Sequence, residues 1–240
     1  MCRILGILST YGFSAEYLEE FRELADNGRV RRGASSGHKD GWGVVIYDKN
    51  KPRYLAREPS CASDDPKYLE VVESLHSMRG QGVMIAHLRK AGRNGGAATF
   101  ENTHPFAEGR WVFAHNGGIT RFNIKPRGLQ GVTDSERFFR LLVNRFERGN
   151  DFEGALEWSV SFVRRKFDYS SLNFVLSDGH AIYGYRDCTK DEDYYSLLYR
   201  RGGKDVVFSQ EPLGDGNWNS IPNGSIAIAR KDLSVEIKSL

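Results

Sequence analysis

A cysteine stands directly behind the initiator methionine, in the sequence Met1-Cys2-Arg3. If Met1 is removed, Cys2 carries a nucleophilic sulfur and a free α-amine on the same residue. That amine has a reference pKa of about 7.7–8.0, so part of it is unprotonated near neutral pH and can act as the base for the thiol. The combination predicts an N-terminal nucleophile. A small core cysteine at the start of a strand is the other interpretation, because free cysteine is often simply buried.

The composition is ordinary and excludes several classes of protein. Of 240 residues, 40% are hydrophobic and 27% are charged, and the net charge is +3. The length suits one domain with a substantial core, and we see no linker, internal repeat or low-complexity tract, so we predict a single domain over residues 1–240. Basic residues form only short clusters, which argues against a nucleic-acid partner.

The cysteines and the apolar runs indicate the compartment. Cys2, Cys61 and Cys188 are odd in number and lack metal-ligand spacing, so we expect neither disulfides nor a bound metal or other cofactor. The N-terminus has no apolar signal segment, and no run of about 18 apolar residues predicts a membrane span. We therefore expect a cytoplasmic protein without a membrane partner, in a reducing compartment that protects a catalytic thiol.

Apolar periodicity predicts the elements that must position Cys2. The stretch from Cys2 to Ser9 predicts a short buried strand, which would fix the thiol on a rigid element. Further strands are predicted at 44–47, 53–57, 83–88, 111–115, 172–176, 181–185, 195–199, 206–208, 225–229 and 233–237. Amphipathic spacing predicts helices over about 14–25 and 64–78, and two more between 134 and 167, separated by a turn at 149–151.

Local signals predict how some elements begin and end. Ser14 is a candidate N-cap for the first helix, and Thr133 or Asp134 for the third, where Glu136 would reach back to Thr133 as in a capping box. Asn116-Gly117 directly after a strand predicts a tight turn with positive φ. Glycines at 33, 37, 41 and 43 predict a loop that is either a turn anchored by its tryptophan or a cover over substrate.

Six short segments, in this order, resemble the class II glutamine amidotransferases. They are residues 1–3 (Met-Cys-Arg), 38–43 (His-Lys-Asp-Gly-Trp-Gly), 86–89 (Ala-His-Leu-Arg), 101–106 (Glu-Asn-Thr-His-Pro-Phe), 113–117 (Phe-Ala-His-Asn-Gly) and 133–136 (Thr-Asp-Ser-Glu). Weaker similarity continues through 208–213 and Trp218, and the likeness is to the stand-alone members without a fused synthase. The resemblance implies an α+β fold of the N-terminal nucleophile hydrolase type, a four-layer αββα sandwich of two antiparallel sheets between helical layers.

The resemblance also implies hydrolysis of the glutamine side-chain amide. Cys2 would form a γ-glutamyl thioester with its own α-amine as base, and ammonia would leave. The amide of Asn116 and the backbone N–H of Gly117 would stabilise the oxyanion. An ordinary hairpin turn is the alternative interpretation of Asn116-Gly117.

Two charged residues match the ends of a glutamine molecule. Arg89 would take the α-carboxylate as a planar cation, and Asp134 would take the α-ammonium. A surface charge and a helix cap are the alternatives for these two. His104 is expected to order the loop that meets the nucleophile strand, and Trp42 and Asp40 to lie in the glycine-rich loop near the pocket.

The histidines and one departure from the family qualify this assignment. His87, His104 and His115 match no metal-ligand motif, so we interpret them as structural. After Arg89 the chain has Lys90-Ala91-Gly92, where fused members often carry an aromatic residue and a Thr-His pair. The stretch 92–99 is also unfamiliar, which leaves open what lines the side-chain end of the pocket.

Three hypotheses of function follow. The leading one is a glutaminase acting on a small-molecule substrate, with a partner protein to activate the unknown ammonia acceptor. The second is a hydrolase of another γ-glutamyl amide or conjugate that uses the same site. The third is a non-catalytic protein that binds glutamine.

Overall fold

The computed structural model describes residues 2–92, 96–149 and 151–240. Three parts of the chain lie outside the described residues: residue 1, residues 93–95 within the unfamiliar stretch 92–99, and residue 150 of the predicted 149–151 turn. The elements in chain order are β1 Arg3–Ser9, α1 Glu16–Asn27, β2 Trp42–Asp48, β3 Lys51–Glu58, α2 Pro66–Leu75, β4 Gly82–Leu88, β5 Phe106–Glu108, β6 Trp111–Ile119, α3 Asp134–Phe146, α4 Phe152–Lys166, β7 Tyr169–Ser177, β8 Ala181–Arg186, β9 Leu198–Arg201, β10 Asp205–Ser209, β11 Asn219–Ser220, β12 Ser225–Arg230 and β13 Val235–Ser239.

Two antiparallel sheets stack face to face between helices. The first has the strand order β11-β9-β10-β1-β4-β2-β3 and the second β13-β12-β8-β7-β6-β5. One apolar cluster fills the space between the sheets. A second packs α1 and α2 on the outer face of the first sheet, and a third packs α3 and α4 on the second. The predicted four-layer αββα fold is confirmed, and none of the described helices is long and apolar enough to cross a membrane.

Strand β1 lies in the middle of the first sheet, and all seven of its residues are buried. Because side chains alternate along a strand, Leu5 and Ile7 face the helices while Ile4 and Leu8 face the second sheet. Its antiparallel partner β4 places Leu88 opposite Arg3. The residue before β1 therefore lies beside the end of β4, in the interior of the molecule.

Glycines let the two sheets approach closely. A Cβ on Gly6 of β1 would lie 2.7 Å from both Val175 and Ile182 of the second sheet. A Cβ on Gly184 of β8 would lie 2.5 Å from Phe208 of the first. These distances are shorter than side chains tolerate, so the absence of a side chain at both positions sets the spacing between the sheets.

One predicted turn and one predicted helix cap are wrong. The strand β6 does not end at Asn116 but continues to Ile119, with Asn116 opposite Asn173 of β7, and an irregularity in pairing lies between Gly117 and Ile119. The ladder to β7 extends the strand where local preference favours a turn. Ser14 is not the cap of α1, which begins after Ala15, and its hydroxyl instead donates to the side chain of Glu16.

The capping box at α3 is half confirmed. Thr133 caps the helix by accepting the N–H of Glu136 at 3.1 Å. The carboxylate of Glu136 does not reach back to Thr133; it accepts the N–H groups of Gln130 at 2.8 Å and Gly131 at 2.6 Å. The loop before α3 is therefore fixed by the helix it precedes.

The predicted strand at 195–199 begins three residues later, at Leu198, and the short strands β5 and β11 were not predicted.

Candidate functional site

A cleft of about 310 Å³ opens where the start of β1 meets the end of β4, the second half of β6 and the start of α3. Its volume is at the lower end of the range for small-molecule sites, roughly 300–1,000 Å³. Cys2, Arg89, His104, Gly117 and Asp134 all line it. The structure thus brings five of the eight predicted site residues to the lining of one cleft. They come from both sheets, the adjoining loops and one helix.

Cys2 and Asn116 are joined across the two sheets. The backbone N–H of Cys2 donates to Asn116 Oδ1 at 3.1 Å, and both residues are buried. Because an N–H can bond only to the oxygen of the amide, the other end of this side chain is Nδ2. Asn116 Nδ2 is buried and has no hydrogen-bond partner among the described residues. Leaving such a donor unpaired costs about 1–3 kcal/mol, so it is a feature that calls for a ligand atom.

Gly117 occupies a position that no other residue could fill. A Cβ there would lie 1.8 Å from the backbone oxygen of Ser171 and 2.9 Å from His115 Nε2. The first of these atoms belongs to the backbone of the paired strand, which no change of rotamer can move away. The backbone of β6 is therefore pressed against β7 at the point where it lines the cleft.

Arg3, the residue after Cys2, is anchored by a buried ion pair. Arg3 is 1% exposed, forms a salt bridge with Glu211, and donates to the backbone oxygen of Cys2 at 3.0 Å. Its guanidinium also lies 4.8 Å from the ring centroid of Tyr194. Glu211 in turn accepts the backbone N–H of Arg29 at 2.8 Å. This network was not predicted, although Arg3 and Glu211 both lie in segments that resemble the family.

Arg89 is 2% exposed and is held by the glycine-rich loop. Its guanidinium donates to the backbone oxygens of Asp40 and Gly96, both at 3.1 Å. The carboxylate of Asp40 accepts the N–H of Ala91 at 2.8 Å. Asp40 does not line the cleft, so the structure places it behind the wall, where it holds the backbone that follows Arg89.

Trp42, which was expected near the pocket, does not line the cleft either. Its indole N–H donates to Asp65 at 3.0 Å, and its ring meets Tyr68 edge-on at 4.8 Å. The physical reason is the alternation along β2, which turns this side chain toward α1 and α2. Trp42 packs the helix-facing core, and Asp65 is the N-cap of α2.

Asp134 and His115 join α3 to β6. Asp134 Oδ2 accepts the N–H of Ile119 at 2.6 Å. Because a carbonyl can only accept, the 3.3 Å contact between His115 Nε2 and Ser171 O places a proton on Nε2, and Nδ1 accepts from the hydroxyl of Ser135 at 2.8 Å. Burial lowers the pKa of His115, which favours this neutral form. Thr133 is the helix cap, and Asp134 is left to face the cleft.

His87 and His104 form a buried pair beside the cleft. Their ring centroids lie 4.1 Å apart, and the His104 ring lies 4.4 Å from Phe106. Burial lowers the pKa of both histidines well below the usual value, and the positive charge of Arg89 acts in the same direction. Within the described ranges, no group of three or more His, Cys, Asp or Glu side chains is arranged to hold a metal ion.

Lys90 was missed as a structural element of the site. Its ammonium donates to the backbone oxygens of Ser35 at 2.7 Å and Gly37 at 2.8 Å, and its own backbone oxygen lies 3.8 Å from the sulfur of Cys2. Lys90 thus connects the glycine-rich loop around residues 33–43 to Cys2. The only sequence signal was the departure from the family pattern after Arg89, since contacts to backbone oxygens leave no trace in side-chain types.

A sequence profile described as "Glutamine amidotransferases class-II" matches residues 1–202 of this chain. The chain belongs to the class II glutamine amidotransferases. The resemblance inferred from the six segments is thereby confirmed, and with it the four-layer fold that the family shares.

Individual relatives extend the comparison. The YafJ protein of Escherichia coli (strain K12) is 33% identical over 175 residues, which cover 66% of this chain but only 65% of YafJ. The γ-glutamyl-hercynylcysteine sulfoxide hydrolase of Mycobacterium tuberculosis (strain H37Rv) is 29% identical over 229 residues, covering 93% of this chain and 90% of that protein. A solved class-II glutamine aminotransferase domain protein from Silicibacter pomeroyi shares the fold, with a TM-score of 0.70 at 22% identity, covering 100% of this chain and 99% of its own.

The neutral histidines predict a loss of stability in acid. In the unfolded chain a histidine takes up a proton below about pH 6.5, whereas buried His87 and His104 do not, so stability is full above that pH and falls as the pH drops. Each histidine that stays neutral in the folded protein should lower the free energy of unfolding by about 1.4 kcal/mol when the pH falls from 7.5 to 5.5. Urea unfolding at the two pH values measures it. His87→Gln should make the pH dependence shallower, while His180→Gln, at an exposed position, should not; equal slopes for all three proteins would contradict the prediction.

Proposed function

We propose that this amidotransferase hydrolyses the side-chain amide of glutamine through a thioester on Cys2. The observation that carries the proposal is the contact between Cys2 and Asn116. It holds Cys2 by its backbone nitrogen at 3.1 Å and leaves Asn116 Nδ2 as a buried N–H donor without a partner among the described residues. The oxyanion that forms on the substrate's carbonyl oxygen when the sulfur attacks is a group that such a donor fits.

The proposed reaction requires that Met1 be removed. The α-amine of Cys2 takes the thiol proton, and the sulfur attacks the carbonyl carbon, whose oxygen becomes negative and accepts from Asn116 Nδ2 and the N–H of Gly117. When the carbon–nitrogen bond breaks, the ammonium gives its proton to the leaving ammonia and the thioester remains. Water, deprotonated by the same amine, then attacks the thioester, and glutamate leaves as the thiol reforms.

Charged side chains at the cleft suit the rest of the substrate. Arg89 and Asp134 both line it, one cationic and one anionic. We propose that Arg89 binds the α-carboxylate and Asp134 the α-ammonium of the glutamyl group, with His104 shaping the wall beside them. Asp40 and Trp42 then act through the backbone and core that hold this wall. We further propose a cytoplasmic enzyme whose ammonia passes to an acceptor activated by a partner protein.

A second substrate class is favoured by a specific observation. The mycobacterial relative that matches over 93% of this chain is named as a hydrolase of a γ-glutamyl conjugate. The cleft also extends to Arg31, Tyr169 and Lys190, which neither end of the glutamyl group requires in our assignment. A γ-glutamyl amide with a larger amine portion would use the same nucleophile and the same glutamyl-binding residues.

The first test is the intact mass of the purified protein before and after incubation with a diazo-ketone analogue of glutamine. We expect a mass without Met1, and one adduct that maps to Cys2. Cys2→Ala should abolish labelling, while Cys61→Ala, which alters the more exposed cysteine, should keep it. Labelling that persists in Cys2→Ala would contradict the proposal. A protein that has lost Met1 but is not labelled would favour either the larger γ-glutamyl substrate or the non-catalytic hypothesis.

The oxyanion role of Asn116 predicts a defect in kcat. Asn116→Asp keeps an oxygen for the N–H of Cys2 but removes the Nδ2 donor, so kcat should fall by about 10²–10³. KM should change little, because the donor acts on charge that exists only in the transition state. Steady-state kinetics on the processed enzyme measure both constants. A loss of less than tenfold in kcat would argue against the assigned role.

Substrate class is decided by parallel kinetics on glutamine and on γ-glutamylcysteine, following ammonia and free cysteine respectively. If glutamine is the substrate, its kcat/KM should exceed that of the dipeptide. If the mycobacterial relative is the better guide, the order is reversed, and Lys190→Ala should raise KM for the dipeptide alone. Turnover of neither compound by a processed, correctly folded protein would leave the non-catalytic hypothesis standing.

A further inference from the structure

A second and larger cavity, of about 510 Å³, lies apart from the cleft. It is bounded by the second half of α3, the middle of α4 and the segment 124–127, and it shares no lining residue with the cleft. Its volume lies within the usual range for small-molecule sites, about 300–1,000 Å³. The proposed hydrolysis makes no use of it.

The walls of this cavity are strongly cationic. Lys125, Arg127, Arg145 and Arg148 line it, against the single carboxylate of Glu147. Lys125, Arg127 and Arg148 make no ion pair with any residue that the structure describes. A concave surface that carries several positive charges concentrates anions from solution. Overall, the chain is nearly balanced in charge, so this is a local excess.

An apolar, aromatic surface completes the cavity. Trp158 and Phe162 lie one turn apart on α4, with ring centroids 5.1 Å apart and planes 6° from parallel. The guanidinium of Arg145 lies 3.6 Å from the centroid of the Trp158 ring. Leu141 also contributes to the lining. This side of the cavity is therefore an apolar wall of two stacked rings, with the cation of Arg145 over the face of Trp158.

Helix electrostatics alone do not account for this arrangement. Cations in the last turn of a helix offset its dipole, which explains Arg145 and Arg148 at the end of α3. It does not explain Lys125 and Arg127, which come from the loop after β6, or the aromatic wall from α4. Three separate segments converge on the same cavity.

We propose that this cavity binds a small organic phosphate that carries a planar ring, of the nucleotide type. The guanidinium groups match phosphate oxygens in charge and geometry, and Lys125 adds a point charge. The ring would lie against the apolar wall of Trp158 and Phe162. Binding involves no covalent step and does not depend on processing of Met1 or on Cys2.

The test uses the full chain and ADP labelled with a methylanthraniloyl group, with energy transfer from tryptophan as the signal. We expect saturable binding that unlabelled ADP competes away, with adenosine and pyrophosphate each weaker by at least about tenfold, or 1.4 kcal/mol. Trp158→Phe should remove most of the energy transfer. Arg127→Glu combined with Arg148→Glu should raise Kd by at least about tenfold.

Two controls separate this site from general electrostatics and from catalysis. The double reversal Arg200→Glu with Arg201→Glu makes the same change of net charge on β9 of the other sheet, and it should raise Kd less than twofold. Cys2→Ala should bind the labelled ADP as the native protein does, whatever becomes of the glutaminase proposal. No saturable binding below millimolar ligand, equal effects of the two double reversals, or adenosine competing as well as ADP would each overturn the inference.

Discussion

The hydrogen bond from the N–H of Cys2 to Asn116 is the contact on which the arrangement of the site depends. Cys2 precedes the central strand of one sheet, and Asn116 lies within a strand of the other. Neither sheet alone could form the constellation, so the site exists only when the two sheets stack in the observed register. The stacking of the layers therefore sets the distance between Cys2 and Asn116, on which the proposed chemistry depends.

Buried cations reinforce this junction from the side of the first sheet. Arg3 and Arg89 are both almost fully buried, which is costly unless every charge is answered by good hydrogen bonds. Arg3 is paired with Glu211 and donates to the backbone oxygen of Cys2. Arg89 donates to the backbone oxygens of Asp40 and Gly96. Removing Glu211 would leave the buried charge of Arg3 without its carboxylate partner. The loops around Cys2 are thus held in place by the hydrogen bonds that these two side chains require.

The sequence allowed the layers, the family and much of the cleft lining to be predicted, because these depend on periodicity and on short ordered segments. The cap at Thr133 was predictable for the same reason, since its bond spans only three residues. The turn at Asn116-Gly117 was wrong because pairing with a distant strand overrides local preference. The packing of Trp42 against the helices could not be predicted, because alternation says which residues share a face, but not which face meets helices. The contact between Arg3 and Glu211 joins residues 208 positions apart, and no local pattern encodes it.

The glycines that let the sheets approach have a mechanical consequence. Where Gly6 and Gly184 face Val175, Ile182 and Phe208, side-chain atoms of one layer fill the space against the backbone of the other. Such dense packing has low compressibility. The gap between Cys2 and Asn116 is spanned by this same pair of layers, so it behaves as a stiff spacer whose length hydrostatic pressure or moderate heating alters little while the protein stays folded. A rigid scaffold of that kind can keep a donor aligned to within a fraction of an ångström without any motion of its own.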